Sequence, residues 1–192
     1  ARLEKKDSRE VAFQRLESLP LTTLDAETRL DAIRALQVMS VRLGDPEGEL
    51  RKKLLDKLHR AIPSTDDRFN VEAAQLLARW KSPLAAKLIF PLFEKGASQE
   101  EQIAYAASLR LVADGWPKGG KEKFFRWFLL EKFHKAGNLA KFITDIRKDA
   151  VASLSEEEKV ALKPILDAAP ETRPEPPLPS RLFVRNWETD DL

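Results

Sequence analysis

Helix start and stop signals recur at short intervals along this chain, and this punctuation limits the possible folds more than any other feature of the sequence. Ser98 and Ser155 each stand three positions before a glutamate, a pattern that opens helices. Glycine or proline then ends the apolar-periodic stretches, as at Pro20 and Gly44. The signals predict nine helices, at about residues 8–19, 25–43, 45–62, 67–80, 82–96, 98–114, 120–135, 138–154 and 155–168.

The predicted fold class is all-α, because β-branched and aromatic residues never alternate with polar ones over more than a few positions before the tail. Short connections make successive helices antiparallel neighbours. Three even-numbered helices share a pattern in which two adjacent residues are followed by a leucine three positions after the second. The residues are Ala32, Ile33 and Leu36; Ala73, Ala74 and Leu77; and Tyr105, Ala106 and Leu109. Their spacing predicts HEAT-like helical hairpins stacked into a short α-solenoid. Because the spacing is irregular, a compact helical bundle is the alternative.

Composition excludes several classes of protein. The chain of 192 residues is 43% apolar and 33% charged, a balance typical of globular proteins, and it contains no apolar run long enough for a membrane span. Its net charge of +2 favours no particular partner. Since it has no cysteine, this chain can hold neither a disulfide, nor a thiolate metal site, nor a thioether-linked haem.

The C-terminal residues differ in composition from the rest. Five of the ten residues at 170–179 are proline, which predicts an extended linker, and an apolar run at 182–184 and Trp187 follow. Residues 189–192 have the composition of a helix N-terminus, so we expect the next domain to begin there. The predicted division is a helical-repeat domain at 1–169 and a linker at 170–192.

No catalytic, cofactor-binding or metal-binding residues are predicted. The two histidines, His59 and His134, are far apart in sequence. Glu131 and His134 form a single Glu-x-x-His pair, whereas di-metal helical sites need two such pairs and two further glutamates. No Ser-His-Asp order or glycine-rich phosphate loop is found, so we expect that the chain is not itself an enzyme.

The window 118–148 combines nine Lys and Arg residues with six aromatic residues, which suggests nucleic-acid binding as an alternative function. Phe124, Trp127 and Phe128, however, share one helical stripe, and this spacing favours packing in the core. Arg126, Arg147 and Lys148 are the candidates for a partner-binding or anion-binding patch.

Two tryptophans outside the helix stripes complete the candidate partner-binding residues. We expect Trp116 to fill the gap between the sixth and seventh helices, with a docking role as the alternative. We expect Trp187 to anchor the tail on the helices or on the next domain.

A string of motifs in the second half of the chain is similar to a known protein family. It comprises Gln102-Ile103-Ala104-Tyr105-Ala106, Leu109-Arg110, Gly115-Trp116, Phe125-Arg126-Trp127-Phe128, Ile146-Arg147-Lys148-Asp149-Ala150, Phe183-Val184, Trp187 and Asp190-Asp191-Leu192. These residues resemble the helical region of large exported multidomain proteins of planctomycete-type bacteria. That region lies between a propeller-like dehydrogenase domain and a c-type haem-binding domain.

The resemblance covers about residues 70–192 and implies HEAT-like repeats, a cell-envelope or periplasmic location and a c-type haem in a neighbouring domain. It also implies a role in a larger oxidative enzyme that acts on small organic substrates. The function expected for this chain is therefore that of a non-catalytic scaffold, whose partners are neighbouring domains or another protein. In one departure from the family, Ala136-Gly137-Asn138 stands where a Gly-Gly turn is expected.

Overall fold

The computed structural model describes the backbone of residues 2–130 and 137–171, and the side chains of 9–130 and 138–171. These residues form helices and no strands, which confirms the predicted all-α class. The nine helices of the described chain are α1 (Arg2–Ser18), α2 (Ala26–Leu43), α3 (Gly48–Ala61), α4 (Asp67–Arg79), α5 (Ala85–Lys95), α6 (Gln99–Leu109), α7 (Gly120–Trp127), α8 (Gly137–Ala152) and α9 (Glu156–Leu166).

Side-chain caps start several helices as predicted. The Asp25 carboxylate accepts a hydrogen bond from the Thr28 N–H at 3.0 Å, and hydrogen bonds from the side chain and then the backbone of Thr28 lower the pKa of Asp25. Ser155 and Glu158 form the full reciprocal capping box at the start of α9. At α6 only half of the predicted box forms, because the carboxylate of Glu101 accepts from the N–H of Ala97 instead.

Two helices begin later than predicted. The third helix was expected from residue 45, but the Asp45 carboxylate contacts Arg79 Nε at 2.6 Å and α3 begins at Gly48. The fifth helix was expected from residue 82, but the Ser82 hydroxyl accepts from the Leu84 N–H in a turn and α5 begins at Ala85. In both cases, the side chain at the expected start makes a contact in or beside the connecting turn instead.

Helix ends also differ from the prediction. The sixth helix was expected to reach Asp114, but the chain tightens after Leu109 into turns closed by the Leu111 and Val112 N–H groups. The seventh was expected to reach residue 135, but α7 ends at Trp127 and a similar turn follows. The first helix was expected to begin at about residue 8, but α1 already begins at Arg2.

Each even-numbered helix packs against the next even-numbered helix of the chain: α2 against α4, α4 against α6 and α6 against α8. Among the odd-numbered helices, α1 packs on α3 and α7 packs on α9. Helix α4 also contacts α3 and α5, which places it among four neighbours. The residues of the shared leucine pattern are buried in all three helices, as the sequence predicts.

The core has two distinctive parts. Near its centre, the buried Trp80 donates its indole N–H to the buried Ser40 hydroxyl at 3.1 Å, which links α4 to α2. Towards the C-terminal half, an aromatic cluster forms with ring centroids less than 6 Å apart along its contacts. Its members are Phe90, Phe93, Trp116, Phe124, Trp127 and Phe128. The predicted core positions of Phe124, Trp127 and Phe128 are confirmed.

Some large apolar residues of the first two helices are exposed. In α1, Phe13 lies in the core and Val11 is exposed. Val38 and Leu43 of α2 are also exposed, because α2 buries only the face that carries Leu30, Ala32, Ile33 and Leu36.

Along the described chain, no helix combines the length and the apolar character that crossing a membrane requires.

Two glycines with positive φ provide a matched test of the α6–α7 connection. A Cβ added at Gly115 would lie 2.7 Å from the Pro83 carbonyl oxygen, whereas one added at Gly119 would meet nothing within 4 Å. We expect Gly119→Ala to lower the free energy of unfolding by about 1–2 kcal/mol, the cost of a left-handed residue with a side chain. Gly115→Ala should cost about 1–3 kcal/mol more, because the loop must also move away from Pro83. Urea unfolding measures both, and equal losses would contradict the close contact.

Candidate functional site

The described surface carries a groove of about 700 Å³ that crosses α2, α4, α6 and α8. Each even-numbered helix contributes at least one residue to the lining of this groove. The apolar residues of the lining include Val41, Leu76, Ile103, Leu111, Leu139 and Phe142. It therefore lies on the layer that the even-numbered helices form.

Small residues make the floor of the groove. Ala78 of α4 and Ala104, Ala107 and Ser108 of α6 line it where larger side chains would fill the space between the helices. Helices α4 and α6 pack against each other, and small side chains allow this close approach. The depression thus follows from the residue types that let these helices come together.

Three large apolar side chains border the groove without being covered. Val41 is 72% exposed, Leu111 is 54% exposed and Phe142 is 49% exposed. They come from α2, from the turn after α6 and from α8, so the exposed apolar surface extends across the layer. Clustered apolar exposure of this kind is typical of a surface that binds another polypeptide or a ligand.

Polar side chains at the edge of the groove are held by bonds between helices. The Gln37 amide donates to Gln75 Oε1 at 3.2 Å, which joins α2 to α4. Arg79 Nη2 donates to the Ser40 carbonyl at 3.1 Å while its Nε pairs with Asp45. On the other side, Arg110 Nε lies 3.1 Å from an Asp149 oxygen, which joins α6 to α8. The edge is thus ordered and carries two arginines.

The structure places the predicted partner-binding residues on different elements. Trp116 is half-buried in the α6–α7 connection, where its N–H donates to the Val112 carbonyl at 2.9 Å and its ring contacts Phe90 and Phe124. This packing agrees with the expectation that Trp116 fills the gap beside α7, and shows that α5 also contributes.

Among the predicted cations, Arg126 of α7 and Lys148 of α8 are exposed. Arg147 Nη2 instead donates to the Leu166 carbonyl at 2.7 Å, which secures the end of α9 against α8. Trp187, Glu131 and His134 lie outside the described residues, as does the tail from residue 172 onward. The partner-binding roles of the five candidates remain predictions.

The basic and aromatic window does not form a stacking surface in the part that the structure describes. Phe125 is buried with the three rings of the predicted stripe, and Phe142 is the exposed exception. Two of the cations are paired with acids, since Lys121 Nζ lies 2.5 Å from Glu158 and Lys123 Nζ lies 2.6 Å from Glu94. The hydrogen bond from Lys121 lowers the pKa of Glu158.

One contact that the sequence analysis did not anticipate brings a serine and a histidine together. His59 Nε2 lies 2.8 Å from Ser82 Oγ, and Asp56 Oδ1 lies 3.8 Å from His59 Nδ1. Burial lowers the pKa of His59, which favours the neutral ring. Ser82 is 5% exposed and its oxygen also caps the turn at Leu84, while the Asp56 distance exceeds that of a hydrogen bond. We interpret this group as a structural link between α3 and the α4–α5 turn.

Within the described chain, no group of three or more His, Cys, Asp or Glu residues could hold a metal ion. The groove residues were missed by sequence reasoning, because Val41, Leu111 and Phe142 are ordinary apolar residues in helical patterns. Phe142 stands four residues before the buried Ile146, at the spacing of a core residue, so no signal in the sequence separates it from the core.

The described residues thus define an all-α protein whose even-numbered helices share an open, apolar groove. No protein-family model, curated protein or solved structure matches the chain. Its function is therefore argued from its own geometry.

Proposed function

We propose that this chain is a non-catalytic helical-repeat scaffold whose hairpins stack in the HEAT-like manner, and that the groove binds a segment of another domain or protein. The observation that carries the proposal is the exposed apolar lining of a groove built from four successive even-numbered helices. Open faces of stacked helical hairpins are the usual binding surfaces of such scaffolds.

A regular offset between contacting residues supports the stacking of hairpins. Arg9 and Glu47, which join α1 to α3, are 38 residues apart, and so are Gln37 and Gln75, which join α2 to α4. Lys121 bonds Glu158 across α7 and α9 at an offset of 37 residues. These three pairs of alternate helices thus meet at a nearly constant distance along the chain, as stacked hairpins do.

The offset is shorter in the middle of the chain. Lys123 and Glu94, which join α7 to α5, are only 29 residues apart. A shortened hairpin at this point explains why the leucine pattern in the sequence is irregular. It favours a solenoid with one atypical repeat over a bundle of unrelated helices.

The groove suits a polypeptide segment with a few apolar side chains. Its exposed Val41, Leu111 and Phe142 offer three separate contacts, and the polar edge at Gln75 and Arg79 can bond a backbone or a side chain. This combination of an apolar centre and a polar border is typical of protein interfaces.

The nucleic-acid alternative has weaker support. Lys121, Lys123 and Arg147 are engaged within the protein, and the aromatic rings at 124, 125, 127 and 128 are buried. Single-strand binding needs accessible rings beside accessible cations, and the groove itself is lined by only two arginines and one aromatic ring.

A photo-crosslinking experiment tests the groove as a binding face. We expect benzoylphenylalanine in place of Phe142 to form a specific adduct with a polypeptide in the native cell. The matched control places the same group at Leu84, which is 39% exposed and does not line the groove. Adducts located by mass spectrometry should occur at position 142 and not at 84. Equal or absent crosslinking at the two positions would contradict the proposal.

The resemblance extends the proposal to a neighbouring c-type haem domain within a larger oxidoreductase of the cell envelope. If this is correct, the intact native polypeptide should be much heavier than the 21.8 kDa of this chain. It should also carry covalent haem, which mass spectrometry and an absorbance scan would detect together. A mature product of these residues alone, without haem, would overturn this part of the proposal.

A further inference from the structure

We propose that the groove is the docking site of the chain's own segment 182–187, Leu-Phe-Val-Arg-Asn-Trp. This inference rests on the proposed use of the groove as a binding face and names its occupant. The segment lies outside the described residues, and its sequence complements the described geometry of the groove.

The segment has the composition that the groove requires. Leu182, Phe183, Val184 and Trp187 place four large apolar side chains within six residues, and prolines precede them. The groove presents exposed apolar side chains on three separate elements. Large aromatic side chains are the residues that most often anchor a polypeptide in such a depression.

The end of α9 lies close enough to the groove for the segment to reach it. Arg147 Nη2 donates to the Leu166 carbonyl at 2.7 Å, so the last turn of α9 lies against α8. Phe142 stands five residues before Arg147 on the same helix, about 7.5 Å along its axis. The Glu171 N–H donates to the Leu129 carbonyl at 2.8 Å, and from there to Leu182 the chain can span up to about 36 Å. This reach equals about three helix diameters, so the segment can pass from α9 to the neighbouring even-numbered helices with α9 in place.

Charge also favours this occupant. The groove is lined by Arg79 and Arg110, and three carboxylates, Glu188, Asp190 and Asp191, follow Trp187. The arginines already lie beside Asp45 and Asp149, but these ion pairs are partly exposed and can be shared with a further acid. An acidic stretch next to the apolar anchors therefore suits a groove that carries an arginine on each side.

Tethering favours the chain's own segment over a second copy or an unconnected peptide. A linked segment is present near its site at an effective concentration in the millimolar range, so weak contacts suffice for docking. A separate polypeptide would have to displace it.

The absence of cysteine allows a direct test by disulfide trapping in the full chain. The test variant carries Leu111→Cys and Phe183→Cys, and the matched control carries Val160→Cys and Phe183→Cys. Val160 is 74% exposed on α9 and is nearer to residue 183 along the chain, so a freely moving tail would reach it at least as readily. Rates are measured in a glutathione buffer by non-reducing electrophoresis and mass spectrometry.

We expect the intrachain disulfide to form at least about ten times faster in the test variant than in the control, since docking raises the local concentration of residue 183. Adding Trp187→Asp to the test variant should remove this difference in rate, because a charged side chain replaces an apolar side chain that docks in the groove. Trp187 lies outside the described core. Equal rates in the two variants, or an excess that survives Trp187→Asp, would overturn the inference. A predominant disulfide between two chains would identify a second copy as the occupant instead.

The two proposals can fail separately. If the trapping rates are equal but benzoylphenylalanine at position 142 joins another protein, the groove is a binding face with a different occupant. If neither experiment gives a specific product, the proposed function fails together with the occupant.

Discussion

The rest of the structure depends on the burial of α4 between four neighbouring helices. Ala73, Ala74 and Ala78 are at most 3% exposed, and their small side chains let α2 and α6 approach from opposite sides. Phe69 and Leu77 provide the bulk that fills the remaining space. A helix in this position must be apolar or small around most of its circumference, which few sequences satisfy. The order of the even-numbered layer follows from this constraint.

The groove is a second consequence of the same packing. Ala78, Ala104 and Ala107 are small enough for α4 and α6 to lie close together, and on the open side they leave a depression. Large apolar residues at its border, such as Val41 and Phe142, are not covered by any described element. The residues that bring the layer together therefore also expose the surface that we propose as a binding face.

Much of the fold could be predicted from local signals, because caps act over three or four residues. Asp25 and Ser155 start their helices as the sequence indicates. Asp45 does not, since its partner Arg79 is 34 residues away and only the packing of α2 on α4 brings them together. The groove could not be predicted for the same reason. Its residues share no motif, and the exposure of Leu111 is decided by where α6 ends.

The even-numbered helices form one layer that α4 holds together. Native-state hydrogen exchange of the full chain tests it most directly, with amides of α2, α4 and α6 followed at increasing urea concentrations. We expect the core amides of the three helices to exchange only through the same global opening, with the free energy of whole-chain unfolding. The contrary result is that the amides of α2 and α6 exchange at different free energies and those of α4 follow only one of these helices. The chain would then consist of two separately folding halves, and α4 would not hold the layer together.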